Sequence, residues 1–157
     1  MSNSILVINV KSTVNVRYDV KDTLKSLRIT KRFAANIIPN NPVSQGMLYQ
    51  AKHHVAWSII DHKLITKILK LRLKFGSKKV SDELIKSMGY KDIETLSKDI
   101  EKGNFTLKKI DNLKPSISFP PPKGGFKRST RRLYTQGGIL GENPDLANIV
   151  EKMLINI

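Results

Sequence analysis

The chain has 157 residues, with 28 lysines and arginines against 13 aspartates and glutamates, and it has no cysteine. A formal charge of +15 in a chain that is 39% hydrophobic indicates a folded domain with a polyanionic partner: nucleic acid first, an anionic membrane surface second, an acidic protein third. The absence of cysteine excludes disulfides, thiolate metal sites and cysteine nucleophiles. Without a signal-peptide pattern or an apolar run of membrane-spanning length, we expect a soluble intracellular protein.

The first 60 residues alternate between strand and helix patterns. Apolar and β-branched runs predict three strands, over 5–10, 33–39 and 55–60. In the third strand the larger side chains Val55, Trp57 and Ile59 alternate, which predicts one well-buried face. Two amphipathic helices lie between the strands, the first with Asp19 as its cap and the second with Asn41. This order predicts a small β-α-β-α-β sandwich of the α+β class.

Residues 61–113 have helical character. The first helix there is predicted to place an apolar face inward, formed by Leu64, Ile68, Leu71 and Phe75. Lysines form the opposite stripe, at 63, 67, 70 and 74; the stripe is either an anion-binding face or an ordinary solvated helix surface. Two short helices follow, beginning at Ser81 and Asp92, and a final helix is predicted over 144–154.

The segment PPPKGGFKRSTRRLYTQGG, residues 120–138, combines prolines, glycines and five cations, so we expect neither helix nor strand within it. It contains no acid that would relieve the repulsion between those cations. Phe126 and Tyr134 are interleaved with the cations, as is typical where planar groups stack on bases or sugars. The alternative is a solvated, flexible linker.

The sequence does not support an active site. His53 and His54 are adjacent and diverge on a helix, and His62 lies beyond the third strand, so a shared metal ion is not expected. Acidic residues stand at predicted helix starts, where they stabilise the helix dipole. The KGGFKRST stretch lacks the spacing of a phosphate-binding loop. We therefore predict no enzyme activity, no cofactor and no small-molecule substrate.

Residues 19–57, DVKDTLKSLRITKRFAANIIPNNPVSQGMLYQAKHHVAW, resemble the core of the large-subunit ribosomal protein L30 family, as does ILVINVKSTVNVR before them. The signals are a strand, the T-L-x-x-L-x-[IL]-x-[KR] helix exit, a strand ending at Pro39 and a helix bearing Gly46, Met47 and Leu48. PPPKGGFKRSTRRLYTQGGILG is similar to the C-terminal loop of the archaeal and eukaryotic branch. The bacterial form would end near Ile60 and the eukaryotic form has a long basic N-terminal extension, so we expect the archaeal type.

The resemblance implies a three-stranded, mainly antiparallel sheet covered by two helices, a ferredoxin-like arrangement, with a mostly helical C-terminal lobe and a basic loop. We divide the chain into a core, 1–60, a helical accessory lobe, 61–113, and a basic RNA-binding loop with a terminal helix, 114–157. The implied role is a non-catalytic constituent of the large subunit in cytoplasmic ribosomes. The implied partners are large-subunit ribosomal RNA and neighbouring ribosomal proteins; contact with 5S ribosomal RNA is left open.

By matching positions, the resemblance implies RNA contact by ten cations: Arg17, Arg28, Lys31, Arg32, Lys52, Lys123, Lys127, Arg128, Arg131 and Arg132. Lys67 and Lys70 join them on the charge argument alone, and Tyr134 joins them as a stacking aromatic. Such contacts neutralise phosphates and read no base by themselves. The main alternative function is a free-standing RNA- or DNA-binding regulator; an adaptor for membrane surfaces or acidic proteins is a more distant one.

Overall fold

The computed structural model describes residues 3–75, 77–79, 81–104, 114 and 116–155. Its first five elements are β1 (Ser4–Asn9), α1 (Tyr18–Ser26), β2 (Ala34–Pro39), α2 (Pro42–Gln50) and β3 (Val55–Ile59). β1 lies between β2 and β3 and pairs antiparallel with both. The predicted β-α-β-α-β core with an antiparallel three-stranded sheet is confirmed.

The two helix starts differ in how well the sequence predicted them. The side chain of Asn41 accepts a hydrogen bond of 2.7 Å from the backbone N–H of Ser44, so Asn41 caps α2 as expected. The expected cap at Asp19 is wrong, because α1 already begins at Tyr18 and Asp19 lies inside its first turn. There the Asp19 carboxylate accepts a hydrogen bond from the N–H of Val20. Its negative charge also interacts favourably with the positive end of the helix dipole.

The rest of the chain adds four helices and five strands among the described residues. These are α3 (His62–Arg72), β4 (Lys74–Phe75), β5 (Lys78–Lys79), α4 (Asp82–Ser87), α5 (Ile93–Glu101), β6 (Ile117–Ser118), β7 (Ser129–Leu133), β8 (Gly138–Glu142) and α6 (Leu146–Ile155), with one turn of 3-10 helix at Tyr134–Gln136. The final helix begins two residues later than predicted, since the Asn143 side chain holds the N–H of Asp145 in a turn. The predicted lobe boundary at 113/114 adjoins residues 105–113, which lie outside the described residues.

Three of these strands extend the core sheet to six, in the order β6-β2-β1-β3-β8-β7. β6 pairs antiparallel with β2, and β8 pairs in parallel with β3, with Ala56 opposite Gly141. The expectation that residues 120–138 contain no strand is therefore wrong, because β7 lies within them and pairs with β8. A Cβ atom at position 138 would collide with the carbonyl of Arg132, so this close approach of β7 and β8 requires glycine.

The sheet has an apolar cluster on each face. One cluster packs Leu24 of α1 and Leu48 of α2 against Trp57 of β3. The other contains Ala56 of β3 together with buried residues of α3, α4, α5 and α6. Both faces of β3 are thus covered at its start, but Ile59 is 55% exposed, so the predicted buried face does not extend to the end of the strand.

The inward face of α3 also differs from its prediction. The buried residues are Leu64, Ile65, Ile68 and Leu69, whereas Leu71 is 42% exposed. Phe75 is not helical, because α3 ends at Arg72 and the chain enters β4. The face is rotated since α3 packs against α5 as well as the sheet, with the Thr66 and Ser97 hydroxyls 2.9 Å apart across that contact.

This difference predicts unequal costs for two substitutions on α3. Ile68→Ala should lower the free energy of unfolding by about 2 to 5 kcal/mol, because it leaves a cavity in the larger cluster. Leu71→Ala should change it by no more than about 0.5 kcal/mol, as surface substitutions usually do. Urea unfolding followed by circular dichroism measures both, and a larger loss for Leu71→Ala than for Ile68→Ala would contradict the observed face.

Candidate nucleic-acid interface

Cations concentrate at one end of the sheet, where β1 ends and β2 and β3 begin. The N–H of Phe33 donates to the carbonyl of Asn9, and the N–H of Val10 donates to the carbonyl of His54, so three loops meet there. Six cations lie in these loops: Lys11, Arg17, Arg28, Lys31, Arg32 and Lys52. Five of them, all but Lys11, are predicted RNA contacts, and these three loops carry them.

A groove of about 670 Å³ opens on this end, beside α1 and β6. We call it the basic groove, since six cations line it: Lys25, Arg28, Lys31, Arg72, Lys74 and Lys114. The remaining described lining residues are Thr30, Ala34, Ser116 and Ser118, so no acid offsets the charge. Hydroxyls and ammonium and guanidinium groups are donors suited to phosphate oxygens.

The basic groove unites three segments that are far apart in the chain. The pairing of Ala34 with Ser118 brings β6 beside the start of β2. The N–H of Lys114 donates to the carbonyl of Lys74 at 3.4 Å. This contact brings the segment that follows α3 to the groove. The buried Nε of Arg72 has no hydrogen-bond partner among the described residues. An unpaired charged donor is costly, and this cost adds to the repulsion among the cations of the groove.

Residues 122–134 form a second basic surface, which we call the C-terminal basic segment. It is held against the core by aromatic contacts: the ring of Phe126 stacks on that of Phe33 at 6.0 Å, and the Arg32 guanidinium lies 5.0 Å from the Phe33 centroid. Pro122 is buried. The segment therefore has packed anchors on the core, unlike the linker that composition alone leaves open.

Within this segment the predicted residues Lys123, Lys127, Arg128, Arg131 and Arg132 are all exposed. The Arg128 guanidinium carbon lies 4.3 Å from the centroid of the half-buried Tyr134 ring. That arrangement orients the guanidinium while it remains open to a phosphate or a base.

A shallow cavity joins the C-terminal basic segment to the core loops. It is lined by Lys11, Arg32, His54 and Arg131, among others. Burial, followed by the charges of Lys11 and His53, lowers the pKa of the His54 imidazole below its ordinary value. The shift disfavours protonation of His54, and the permanent positive charge of this cavity comes from Lys11, Arg32 and Arg131.

Three predicted cations are paired with an acid or lie away from the basic groove. Lys67 on α3 forms an ion pair of 3.1 Å with Glu151 of α6, and Arg17 forms one of 3.4 Å with Asp19. Lys70 is exposed on α3 but does not line the basic groove. Conversely, Lys25, Lys74, Arg72 and Lys114 line the groove but were not predicted as contacts. Lys74 belongs to the lysine stripe noted in the sequence, and Lys25 precedes the predicted contact Arg28 by three residues; no sequence pattern links Arg72 or Lys114 to them.

The opposite end of the sheet has a different character. A cleft of about 710 Å³ there is lined by Trp57, Ile59, Asn40, Glu142 and five other described residues, none of them a cation. Among the described residues, none of the helices combines the length and apolar character that crossing a membrane requires. The described part of the chain also contains no cluster of three or more side chains able to hold a metal ion.

Comparisons with known proteins agree with the resemblance in the sequence. Residues 5–55 match the family model described as ribosomal protein L30p/L7e. The large ribosomal subunit protein uL30 of Nitrosopumilus maritimus is 38% identical over 155 residues, covering 98% of this chain and 100% of the relative. Its counterparts in Cenarchaeum symbiosum and Staphylothermus marinus are 36% and 35% identical and cover 98% and 94% of this chain, and 100% and 96% of their own lengths.

All three relatives are archaeal proteins, and each aligns with nearly the whole chain rather than with the core alone. The expected archaeal type is therefore confirmed. The strands and cations of the C-terminal half fall within the same alignments as the family core. This chain belongs to the L30p/L7e family of ribosomal proteins.

Proposed function

We propose that this protein is a structural constituent of the large ribosomal subunit and that it binds large-subunit ribosomal RNA. The observation that carries the proposal is the basic groove, in which six cations face one another without a described acid among them. Packing six like charges together is unfavourable unless an anion neutralises them. Membership of a family of structural ribosomal proteins supports the role, and agrees with the prediction that the chain is not an enzyme.

The RNA would be held on two surfaces. The first is the basic groove, and the second is the C-terminal basic segment with the neighbouring Arg32. Because both lie at or beside the same end of the sheet, one RNA fold can contact both. The proposed contacts retain all the sequence-predicted residues, Arg17, Arg28, Lys31, Arg32, Lys52, Lys67, Lys70, Lys123, Lys127, Arg128, Arg131, Arg132 and Tyr134, and add Lys25, Arg72, Lys74 and Lys114.

The predicted contacts differ in the strength that their surroundings allow. Arg28 and Lys31 have no described acid beside them in the groove, so they can pair with an RNA phosphate without first breaking an ion pair. Lys67 must exchange its Glu151 carboxylate for a phosphate, which leaves a smaller net gain. We therefore expect substitutions in the groove to weaken RNA binding more than Lys67→Ala.

Co-sedimentation with large ribosomal subunits tests the proposal. The protein is expected to stay with the subunits through a moderate-salt wash, because many phosphate contacts act together. A triple variant, Lys31→Ala, Lys74→Ala and Lys114→Ala, takes one exposed lysine from each segment of the basic groove and should be released at lower salt. The matched control replaces three exposed lysines by alanine: Lys86 on α4, Lys98 on α5 and Lys102 directly after α5.

The control removes the same total charge, so it separates the groove from net charge. Equal release of the two triple variants would show that the groove has no special role. Release of the unmodified protein from the subunits by the wash would instead favour the free-standing nucleic-acid-binding regulator.

A further inference from the structure

A small cavity lies between the C-terminal basic segment and α6. Its volume is about 240 Å³, and we call it the aromatic cavity because Phe126 and Tyr134 form part of its wall. Pro122 and Ile139 are buried at its inner side, and Ile149 is half-buried. These side chains make a surface suited to a flat apolar ring.

The volume sets the size of the occupant. A protein cavity of about 150 Å³ holds benzene, so a cavity of about 240 Å³ admits the larger ring of a nucleobase. It is smaller than the roughly 300 to 1,000 Å³ of sites for drug-sized ligands. A single base is thus a better match than a whole cofactor.

Two polar side chains of the cavity have unused hydrogen-bonding capacity: Asp145, which directly precedes α6, and Asn148 on α6. Tyr134 Oη donates to Oδ2 of Asp145 at 2.9 Å, while Oδ1 of Asp145 has no partner among the described residues. The exposed amide of Asn148 likewise has none there, although it lines the same cavity. Asn143 differs, because its side chain already bonds the Ile139 carbonyl and the Asp145 N–H.

The charges around the cavity indicate what an occupant must carry. Lys127, Arg128 and Lys152 line it, and all three are exposed. Asp145 is the acid among these cations, and its carboxylate would repel a phosphate that came close. It would instead accept N–H donors from the edge of a base. A ring with an N–H edge and an attached phosphate, that is, a nucleotide, satisfies the wall, the carboxylate and the cations together.

We infer that the aromatic cavity binds an unpaired nucleobase turned out of the RNA, and that this base is guanine. Guanine presents two adjacent N–H donors, from its ring N1 and its exocyclic amino group, which one carboxylate can accept together. Single-stranded bases that stack on aromatic side chains are the usual targets of sequence-specific RNA recognition. The inference rests on the proposed function and adds base recognition to contacts that otherwise neutralise phosphates.

The test uses two single-stranded RNAs of equal length, one all-uridine and the other with a single central guanosine. Binding to the full-length protein is measured by fluorescence anisotropy at one fixed salt concentration. The guanosine RNA is expected to bind about 5- to 150-fold more tightly, the range for one good bidentate contact to a base. The Asn148 side-chain amide resonances should shift with this RNA and not with the all-uridine RNA.

Two variants separate base recognition from structural effects. Asp145→Asn should abolish the guanosine preference, because an amide cannot accept two donors in place of the carboxylate. Glu151→Gln makes the same charge change on α6 outside the aromatic cavity and should also leave the preference intact.

Equal binding of both RNAs by the unmodified protein would overturn the assignment of the cavity while leaving RNA binding in place. A preference that survives Asp145→Asn would also overturn it. Failure of both RNAs to bind would overturn the proposed function and the cavity assignment together.

Discussion

Replacing the five cations Lys123, Lys127, Arg128, Arg131 and Arg132 by alanine is expected to reduce the salt dependence of RNA binding strongly. Each phosphate contact releases counterions, which contributes about 0.7 to 0.9 to the slope of log K against log salt concentration. If all five cations meet phosphates, the slope should fall by roughly 3.5 to 4.5. Filter binding of a ribosomal RNA fragment over a range of salt concentrations measures this slope.

The matched control for this variant removes five exposed lysines that lie outside both basic surfaces: Lys63, Lys86, Lys91, Lys98 and Lys102. Its net charge equals that of the variant, and its slope should stay close to that of the unmodified protein. An unchanged slope for the variant would mean that the C-terminal basic segment is solvated in the complex. The RNA surface would then be limited to the basic groove and the loops beside it.

Trp57→Ala is expected to lower the free energy of unfolding by about 3 to 5 kcal/mol. Trp57 is only 8% exposed and lies in the cluster beneath α1 and α2, and its ring meets the edge of Tyr49 at 6.0 Å. Its loss removes both the packing and the aromatic contact. Leu24→Ala, in the same cluster, should cost about 2 to 5 kcal/mol.

Thermal unfolding followed by far-ultraviolet circular dichroism measures these losses without relying on tryptophan fluorescence. Arg131→Ala is the control, because Arg131 is exposed on β7, and its melting temperature should be nearly unchanged. Equal melting temperatures for Trp57→Ala and the unmodified protein would place the core elsewhere.

The core could be predicted from sequence because its information is local. The spacing of Val20, Leu24 and Leu27 defines the inner face of α1, and the structure buries the latter two. The alternation of strands and helices up to residue 60 also fixed the order of the elements. Such patterns can be recognised from residues that are close together in the sequence.

The C-terminal strands could not be predicted in the same way. β7 has the sequence STRRL, in which most side chains are exposed, so it has no apolar alternation to detect. Its pairing with β8, and that of β8 with β3, depend on contacts between distant segments. The prolines and glycines nearby made a strand harder to predict, because these residues are typical of turns.

The lining of the basic groove was predicted in part for a related reason. Arg28 and Lys31 were identified from the family pattern, whereas Arg72 and Lys114 join them only through contacts between distant segments, such as the pairing of β6 with β2 and the hydrogen bond from Lys114 to Lys74. The aromatic cavity likewise needs α6 to lie against the C-terminal basic segment. A charge count along the chain shows an excess of cations, whereas their grouping depends on the sheet.

The parallel pairing of β8 with β3 affects how the protein is made. Ala56 of β3 leaves the synthesising ribosome well before its partner Gly141, and at about 5 to 20 residues per second the interval is several seconds. During that time β1, β2 and β3 can pair locally while one side of β3 remains an open edge, which is a site of aggregation in nascent chains. The same delay means that the first three core strands are available to fold before β6, which borders the basic groove, and before the C-terminal basic segment.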